Sequence, residues 1–247
     1  MLTEKEKMEH ELLNILTDSQ DPMGSVTLSL LLKERDLDVS GATVGRMLSE
    51  FDHKGHTIKH GYKGRVLTQR GFRRLDELKT KQRISEFSSR FYESIDAESR
   101  ENLISVLTAR RGIERESARL AATRATEEDM ADLKKVYKIQ RKDAVNGIIS
   151  SDNDVLFHQA IARASKNKVL AAAYDFIWQN GKLSPVMEYI RTSVGGTISV
   201  DHGKILEALI VRDPDLAEKR MMEHIDSLII DVNNYWSQAE IDMRMDA

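Results

Sequence analysis

The sequence predicts a mainly α-helical chain in two parts: three helices and a β-hairpin at the N-terminus, then an all-α antiparallel helical bundle. Three observations carry that expectation. Apolar residues recur at helical spacing along most of the chain. Only three prolines, Pro22, Pro185 and Pro214, interrupt the 247 residues, and proline is the residue least tolerated inside a helix. Strand-like alternation is confined to a short stretch near residue 60 and is absent from Ile84 onward.

The elements follow in order. Glu4 to Leu16 sets Met8, Leu12, Ile15 and Leu16 on one helix face, and Asp21, Pro22 and Gly24 end the pattern. Leu28 to Arg35 reads as a short second helix capped by Thr27 and closed by the polar turn Asp36 to Asp38. Ser40 is the N-cap of a third helix with Val44, Leu48 and Phe51 inward and Thr43, Arg46 and Ser49 outward, and Gly55 stops it. Residues 57–68 alternate around glycines as a two-stranded hairpin, after which Thr68 caps another helix. A short helix, a tight turn, a helix with a small and basic outer face and then a basic hairpin form a winged helix-turn-helix, an arrangement that fits a DNA major groove. Its candidate contacts are Ser40, Thr43 and Arg46 toward bases and Lys59, Lys63 and Arg65 toward phosphate or minor groove.

The bundle helices are predicted at roughly 84–93, 98–124, 127–149, 152–164, 168–192, 198–211 and 214–243. Their breaks carry local signals: a fresh N-terminus at Thr126-Glu127-Glu128, a turn at Lys166-Asn167, a loop at Gly195-Gly196, and a cap with proline in the first turn at Asp213-Pro214. The expected domains are therefore residues 1–83 and 84–247.

Composition narrows the chemistry. With 40% hydrophobic and 31% charged residues the chain is neither membrane-spanning nor disordered in character. Its first residues are charged rather than signal-like, and the expectation is a cytoplasmic protein with no membrane partner. The chain has no cysteine, which excludes a disulfide framework, a thiolate nucleophile and a Cys-based zinc site. Any metal must then be held by His and carboxylate. The formal net charge of −3 is unevenly placed: Lys54 to Arg83 holds ten Lys or Arg against two acids, whereas 84–247 holds 22 against 27. A basic run beside a helix-turn-helix is an electrostatic footprint for nucleic acid.

Within the bundle, Asp154, His158, His202 and His224 stand out. Asp154 and His158 are four apart, one helical turn, close enough to bind the same cation or to form a salt-bridged pair. His202 and His224 each lie on the apolar side of a later helix, with Ile205 and Leu209 beside the first and Met221 and Leu228 beside the second. A lone histidine in such a place is commonly a hydrogen-bonded core residue. Burying three of them with an aspartate leaves many polar atoms to satisfy, and a divalent metal satisfies them at once.

The segment "DVLFHQAIARASKN", with a histidine 44 residues after its own and another 22 later, resembles the ligand-binding domain of the FadR-like (FCD-type) branch of GntR-family transcriptional regulators. "RRGIERESARLAATRATEEDMADL" upstream and "HGKILEALIVRDPDLAEKRMMEH" downstream match the remaining signature segments, so that the likeness covers about the last two-thirds of the chain. The N-terminal segment, with "TVGRMLSEFDHKG" and a closing "LTQRGFRRL", resembles winged helices of other prokaryotic repressors and lacks the usual GntR proline-glycine turn and "VSR" start. The resemblance implies that Asp154, His158, His202 and His224 bind zinc, nickel or a similar divalent ion. It also implies that open positions on that ion accept a small carboxylate effector. It makes Arg110, in the Arg-x-x-Ile-Glu segment, the pocket cation for that carboxylate, with a salt bridge to a bundle acid as the alternative.

The function expected from these readings is an effector-responsive, metal-containing transcriptional regulator, not an enzyme, working as a homodimer on a double-stranded DNA operator. Two readings compete. A metal-dependent hydrolase or lyase would use the same His and Asp residues, but the sequence offers no His-Glu-x-x-His pair, no duplicated Glu-x-x-His and no acid that periodicity nominates as general base. A constitutive DNA-binding protein would carry the metal as a purely structural ion.

Overall fold

The structure is a computed structural model that describes residues 2–19, 21–95, 99–146, 148, 150–179, 181–195 and 199–245, the side chains at 199–200 and from 239 on excepted. It is mainly α, with a small antiparallel hairpin, and divides into two compact units, Met1–Phe91 and Tyr92–Ala247.

In the first unit α1 (Glu4–Asp18), α2 (Ser25–Lys33) and α3 (Gly41–His53) are followed by β1 (Thr57–His60), β2 (Gly64–Leu67) and α4 (Gln69–Ser94). The apolar faces expected from helical spacing meet in one core of Leu12, Ile15, Leu16, Leu28, Val44, Leu48, Phe51 and their neighbours. Ser40 caps α3 by accepting from the Thr43 amide at 3.3 Å. Thr68 accepts from the Gly71 amide at 3.1 Å and donates to the Gly55 carbonyl at 2.6 Å, which ties α4 to the end of α3. The hairpin pairs Thr57 with Leu67 and His60 with Gly64. Met23 bridges to Arg65 across β2, so closely that a Cβ at Gly64, whose φ is +128°, would lie 2.2 Å from the Met23 carbonyl carbon. Below the hairpin, Arg74 of α4 grips buried Glu9 of α1 through Nε and Nη2, both at 3.0 Å.

The second unit comprises α5 (Arg100–Arg124), α6 (Glu127–Val145), α7 (Ser151–Ala164), α8 (Lys168–Trp178), α9 (Leu183–Val194), α10 (Ser199–Ile210) and α11 (Pro214–Met245). The long helices α5 and α11 pack along each other, and α7 touches α5, α6, α8 and α9. Fully buried alanines on α5, α10 and α11 (Ala118, Ala121, Ala122, Ala208, Ala217) bring the helices close. The caps are side-chain oxygens, as local chemistry expects. Thr126 forms a capping box with Asp129, Asn167 caps α8, and Asp213 Oδ1 accepts from the amides of Asp215 and Leu216 ahead of Pro214.

Three expectations are corrected. The second helix begins at Ser25 behind Gly24, with no side-chain cap, and Thr27 lies inside it. The helix expected to begin at 84 is the continuation of α4, which runs unbroken from Gln69; of its residues only Gly71, Leu75 and Leu78 are buried, too few to carry a periodic signal across 80–90. The helix expected over 168–192 is two, α8 and α9, separated at Gly181 with φ +66°. Pro185 sits in the first turn of α9, where its missing N–H costs nothing, whereas inside a continuous helix it would remove a hydrogen bond. The predicted ends at 98, 149 and 198, and Gly196 of the expected loop, lie outside the described residues.

Candidate metal centre and nucleic-acid interface

α7 begins at Ser150, which caps it by accepting from the Asn153 amide, and the buried face of the helix carries Asp154, Phe157, His158 and Ile161. His202 comes from α10 and His224 from α11, and all three histidine side chains are fully enclosed. The Nε2 atoms form a triangle: 3.2 Å from His158 to His202, 3.1 Å from His158 to His224 and 3.4 Å from His202 to His224. Asp154 Oδ1 completes the group at 3.2 Å from His202, 3.7 Å from His158 and 4.0 Å from His224. The His202 ring stacks on Phe157 with centroids 4.3 Å apart, which fixes its plane.

The outward nitrogens decide what the inward ones can do. His158 Nδ1 lies 2.6 Å from Glu114 Oε2. His202 Nδ1 lies 2.9 Å from Gln140 Oε1, and the Gln140 amide is oriented by its own bond to the Asn153 carbonyl at 2.6 Å. His224 Nδ1 faces Asp201 Oδ2 at 3.8 Å, beyond direct hydrogen-bond reach. The Nδ1 atoms of His158 and His202 thus each lie beside an acceptor oxygen, and these neighbours assign the tautomers of those two rings. Three Nε2 atoms and a carboxylate oxygen face one another, and Asp154 Oδ1 is buried without a hydrogen-bond partner. Such a cluster is stable only around positive charge.

A proton is one source of it. Burial lowers the basicity of His158, but the carboxylates of Glu114 and Asp154 outweigh burial and hold it up at about 9. Burial pushes His202 down to about 3 and His224 down to about 4. One proton on His158 can reach only one of its three neighbours, whereas a cation at the centre reaches all four ligand atoms. Donors bound at roughly 2.0–2.2 Å from one ion lie about 3–4 Å from each other, and the six separations here run from 3.1 to 4.0 Å. The residues thus fit a divalent ion, with the outward Nδ1 groups held in the manner typical of metal-ligating histidines.

Arg110 is buried, and its charge is matched by Glu114: Nε donates to Oε1 at 2.6 Å, while Nη2 is 3.4 Å from Oε2 and 3.8 Å from Asp154 Oδ2. Its guanidinium stacks 4.7 Å above the Trp178 ring. Sequence reasoning did not reach Glu114, Gln140, Asp201 or Arg191. Two of these carried a signal, since Glu114 stands one turn after Arg110 in the same motif and Asp201 adjoins His202. Arg191 of α9 is only 3% exposed, its nearest carboxylate oxygen is Asp231 Oδ2 at 3.7 Å, and burial lowers its basicity.

In the first unit Ser40 and Arg46 are exposed, and Thr43 lies between them, accepting from Arg46 Nη2 at 3.2 Å and touching Ser40 Oγ at 3.1 Å. Lys59 and Lys63 are exposed on the hairpin. Arg65 is not with them: its Nε donates to Asp52 Oδ2 at 2.8 Å, and Thr57 donates to the other oxygen of Asp52 at 2.6 Å, so Arg65 braces the hairpin against α3.

Residues 105–227, about half of the chain, match the FCD domain family, and residues 10–75 match the ribonuclease R winged-helix domain family. The chain is similar to the Exu regulon transcriptional regulator of Escherichia coli, 31% identical over 126 residues that are 49% of this chain and 48% of that protein. It is also similar to the Uxu operon transcriptional regulator of the same species, 27% identical over 130 residues, 50% of this chain and 51% of the relative. The matches thus span about half the length of these curated relatives. Among solved structures, a GntR protein of Streptococcus agalactiae aligns with a TM-score of 0.46 at 20% identity, over 91% of this chain and 98% of that one. Among the described residues no helix is long and apolar enough to cross a membrane.

Proposed function

The chain belongs to the FCD-type GntR family of transcriptional regulators, with an N-terminal winged helix, and on that premise we propose that it is a DNA-binding regulator whose C-terminal unit holds a divalent metal and responds to a small carboxylate. The observation that carries the metal is the convergence of three Nε2 atoms on Asp154 Oδ1, with the outward Nδ1 of His158 and of His202 each set against an acceptor oxygen. Asp154, His158, His202 and His224 are its ligands, and zinc or nickel suits such a nitrogen and oxygen set. When bound, the ion supplies an electrophilic site for a carboxylate oxygen. Glu114 and Gln140 orient the rings of His158 and His202, and Phe157 excludes water from one side of His202.

On the DNA side, Arg46 with Ser40 and Thr43 on α3 face the major groove, and Lys59 and Lys63 of the hairpin meet phosphate. Two copies acting as a homodimer would match a palindromic operator and supply the contacts that one helix-turn-helix lacks. Names of relatives support this reading: both Escherichia coli proteins are called transcriptional regulators.

The test is elemental analysis of the purified chain beside His158→Ala and His224→Ala, followed by DNA-binding titrations with and without small carboxylates. About one divalent ion per chain, lost in both variants, together with operator affinity that shifts with one acid class, is the expected result. A chain that takes up neither zinc nor nickel overturns the metal. Metal binding with acid-insensitive DNA binding would mean that the ion is structural only.

A further inference from the structure

Helix α6 carries a basic stripe apart from the metal centre and from the hairpin. Lys134, Lys135, Lys138, Arg141 and Lys142 stand within nine consecutive positions that include no acid, whereas residues 84–247 as a whole hold 22 basic residues against 27 acidic. At 3.6 residues per turn they share an arc of about 120°, and all five are exposed. The face turned away from that arc holds the buried Met130, Leu133 and Gln140, which seat the helix in the bundle. Several other cations of this unit are paired: Arg111 with Asp226, Arg119 with Asp215, Lys166 with Asp129 and Arg212 with Glu127. None of the five has a carboxylate of the described residues within ion-pair distance. The neighbouring acid, Asp143, accepts instead from Asn153 Nδ2 at 2.7 Å.

The fold does not account for the stripe. Lys134 and Lys138, Lys135 and Lys138, Lys138 and Arg141, and Lys138 and Lys142 are like charges three or four residues apart, and such pairs weaken a helix. The helix dipole favours cations only in the last turn, and Lys134, Lys135 and Lys138 precede the end of α6 at Val145 by seven residues or more. A polyanion laid along the arc removes the repulsion. We propose that the stripe is a second, sequence-independent DNA-binding surface, which holds duplex phosphates independently of α3 and the hairpin. From Lys134 to Lys142 the helix rises about 12 Å, the rise of three to four phosphates along one strand. Lys138, Arg141 and Lys142 also border an open hollow of about 420 Å3, together with Val145 and Asn146, where a phosphate group can seat. Four of the five cations are lysine, a residue depleted at protein–protein interfaces and a phosphate binder as a point charge. A duplex therefore fits the stripe better than an acidic protein does. It also fits better than an anionic membrane, because the apolar face of α6 is committed to the bundle.

The experiment follows the full chain on a mixed-sequence duplex of about 40 base pairs by fluorescence anisotropy, between about 50 and 200 mM salt. The stripe variant is Lys134→Gln/Lys138→Gln/Lys142→Gln. A control of equal charge loss, Arg163→Gln/Lys168→Gln/Lys219→Gln, changes exposed positions on α7, α8 and α11. The stripe variant should lower the slope of log affinity against log salt by about 2.7, about 0.9 for each lost contact, and weaken binding at least about tenfold. Its melting temperature should be equal or higher because the repulsion is relieved, and the control should bind as the wild type does. A slope unchanged in the stripe variant, or lowered as much by the control, overturns the proposal. So does an unchanged slope joined to lost binding of phosphatidylserine vesicles, which assigns the stripe to a membrane. Arg46→Ala/Lys59→Gln/Lys63→Gln separates the two surfaces. It should keep part of the salt-dependent binding, and the stripe substitutions should then abolish the remainder. If it binds as the wild type does while the stripe variant fails, the contacts assigned to α3 and the hairpin fall and the stripe stands.

Discussion

In the N-terminal unit the side chains expected to meet a ligand lie outside an apolar core: Ser40, Arg46, Lys59 and Lys63 are exposed, and Leu12, Leu28, Val44 and Leu48 beneath them are fully buried. In the C-terminal unit the corresponding side chains are the core. Arg110, Glu114, Asp154, His158, Arg191, His202 and His224 are all buried, most with a named partner. The difference fits the ligands proposed for the two units. A duplex is read from outside by charges that remain hydrated until contact, so those residues cost the fold little. A small anion and a metal ion must be enclosed, and the groups that enclose them are desolvated in advance and depend on one another.

That contrast predicts which substitutions damage the fold and which damage only binding. The largest effect is expected for Glu114→Ala, which strands buried Arg110 and releases His158 Nδ1: a loss of about 3–5 kcal/mol, read by urea unfolding, together with about 10–100-fold weaker metal affinity in a chelator competition. Removal of the metal comes next. At an ion concentration about a thousand times the dissociation constant the bound state gains about 4 kcal/mol, so chelation should lower the melting temperature of the C-terminal unit by on the order of 10 °C, and His158→Ala should be insensitive to chelator. Equal melting of wild type with and without chelator would break the comparison at its metal end.

Gly64→Ala should cost about 1–3 kcal/mol in the N-terminal unit, because the new Cβ meets the Met23 backbone, while metal content stays unchanged; amide exchange of the hairpin reads the one and elemental analysis the other. Arg46→Ala is expected to leave stability within about 0.5 kcal/mol and to weaken operator binding by about 1–3 kcal/mol in fluorescence anisotropy. Arg65→Ala should do the reverse, destabilising the hairpin through loss of Asp52. The smallest effect is that of Lys59→Gln and Lys63→Gln, each lowering the slope of log affinity against log salt by about 0.9 with no change in melting. A melting temperature that falls in either lysine variant would count against a purely external role.

How far the sequence could be read tracks the same division. Val44, Leu48 and Phe51 show their inward face through spacing alone, and Ser40, Thr68, Thr126 and Asp213 mark helix starts by their oxygens. The start of α2 escaped because Gly24 caps without a side chain. The break between α8 and α9 was marked by Gly181 and Pro185 but hidden by continuous apolar periodicity on either side. In the site, Asp154 and His158 were legible as a one-turn pair, and His202 and His224 were nominated as ligands by family resemblance and their apolar faces. Gln140 was not legible, because its partner lies 62 residues away on another helix. Nor could spacing tell Arg110, matched by Glu114 one turn along its own helix, from Arg191, whose nearest carboxylate is on α11.

Periodicity, caps and residue chemistry act over a few positions along the chain, and they were enough to specify most of the helices, the hairpin, the absence of thiol chemistry and the residue types from which a metal site could be built. Which nitrogen of each histidine faces inward, which guanidinium keeps its charge unmatched and that the hairpin's Arg65 is engaged by Asp52 depend on atoms brought together from separate elements. Packing decided them, because hydrogen-bond partners and desolvation are properties of the assembled interior and not of any segment within it.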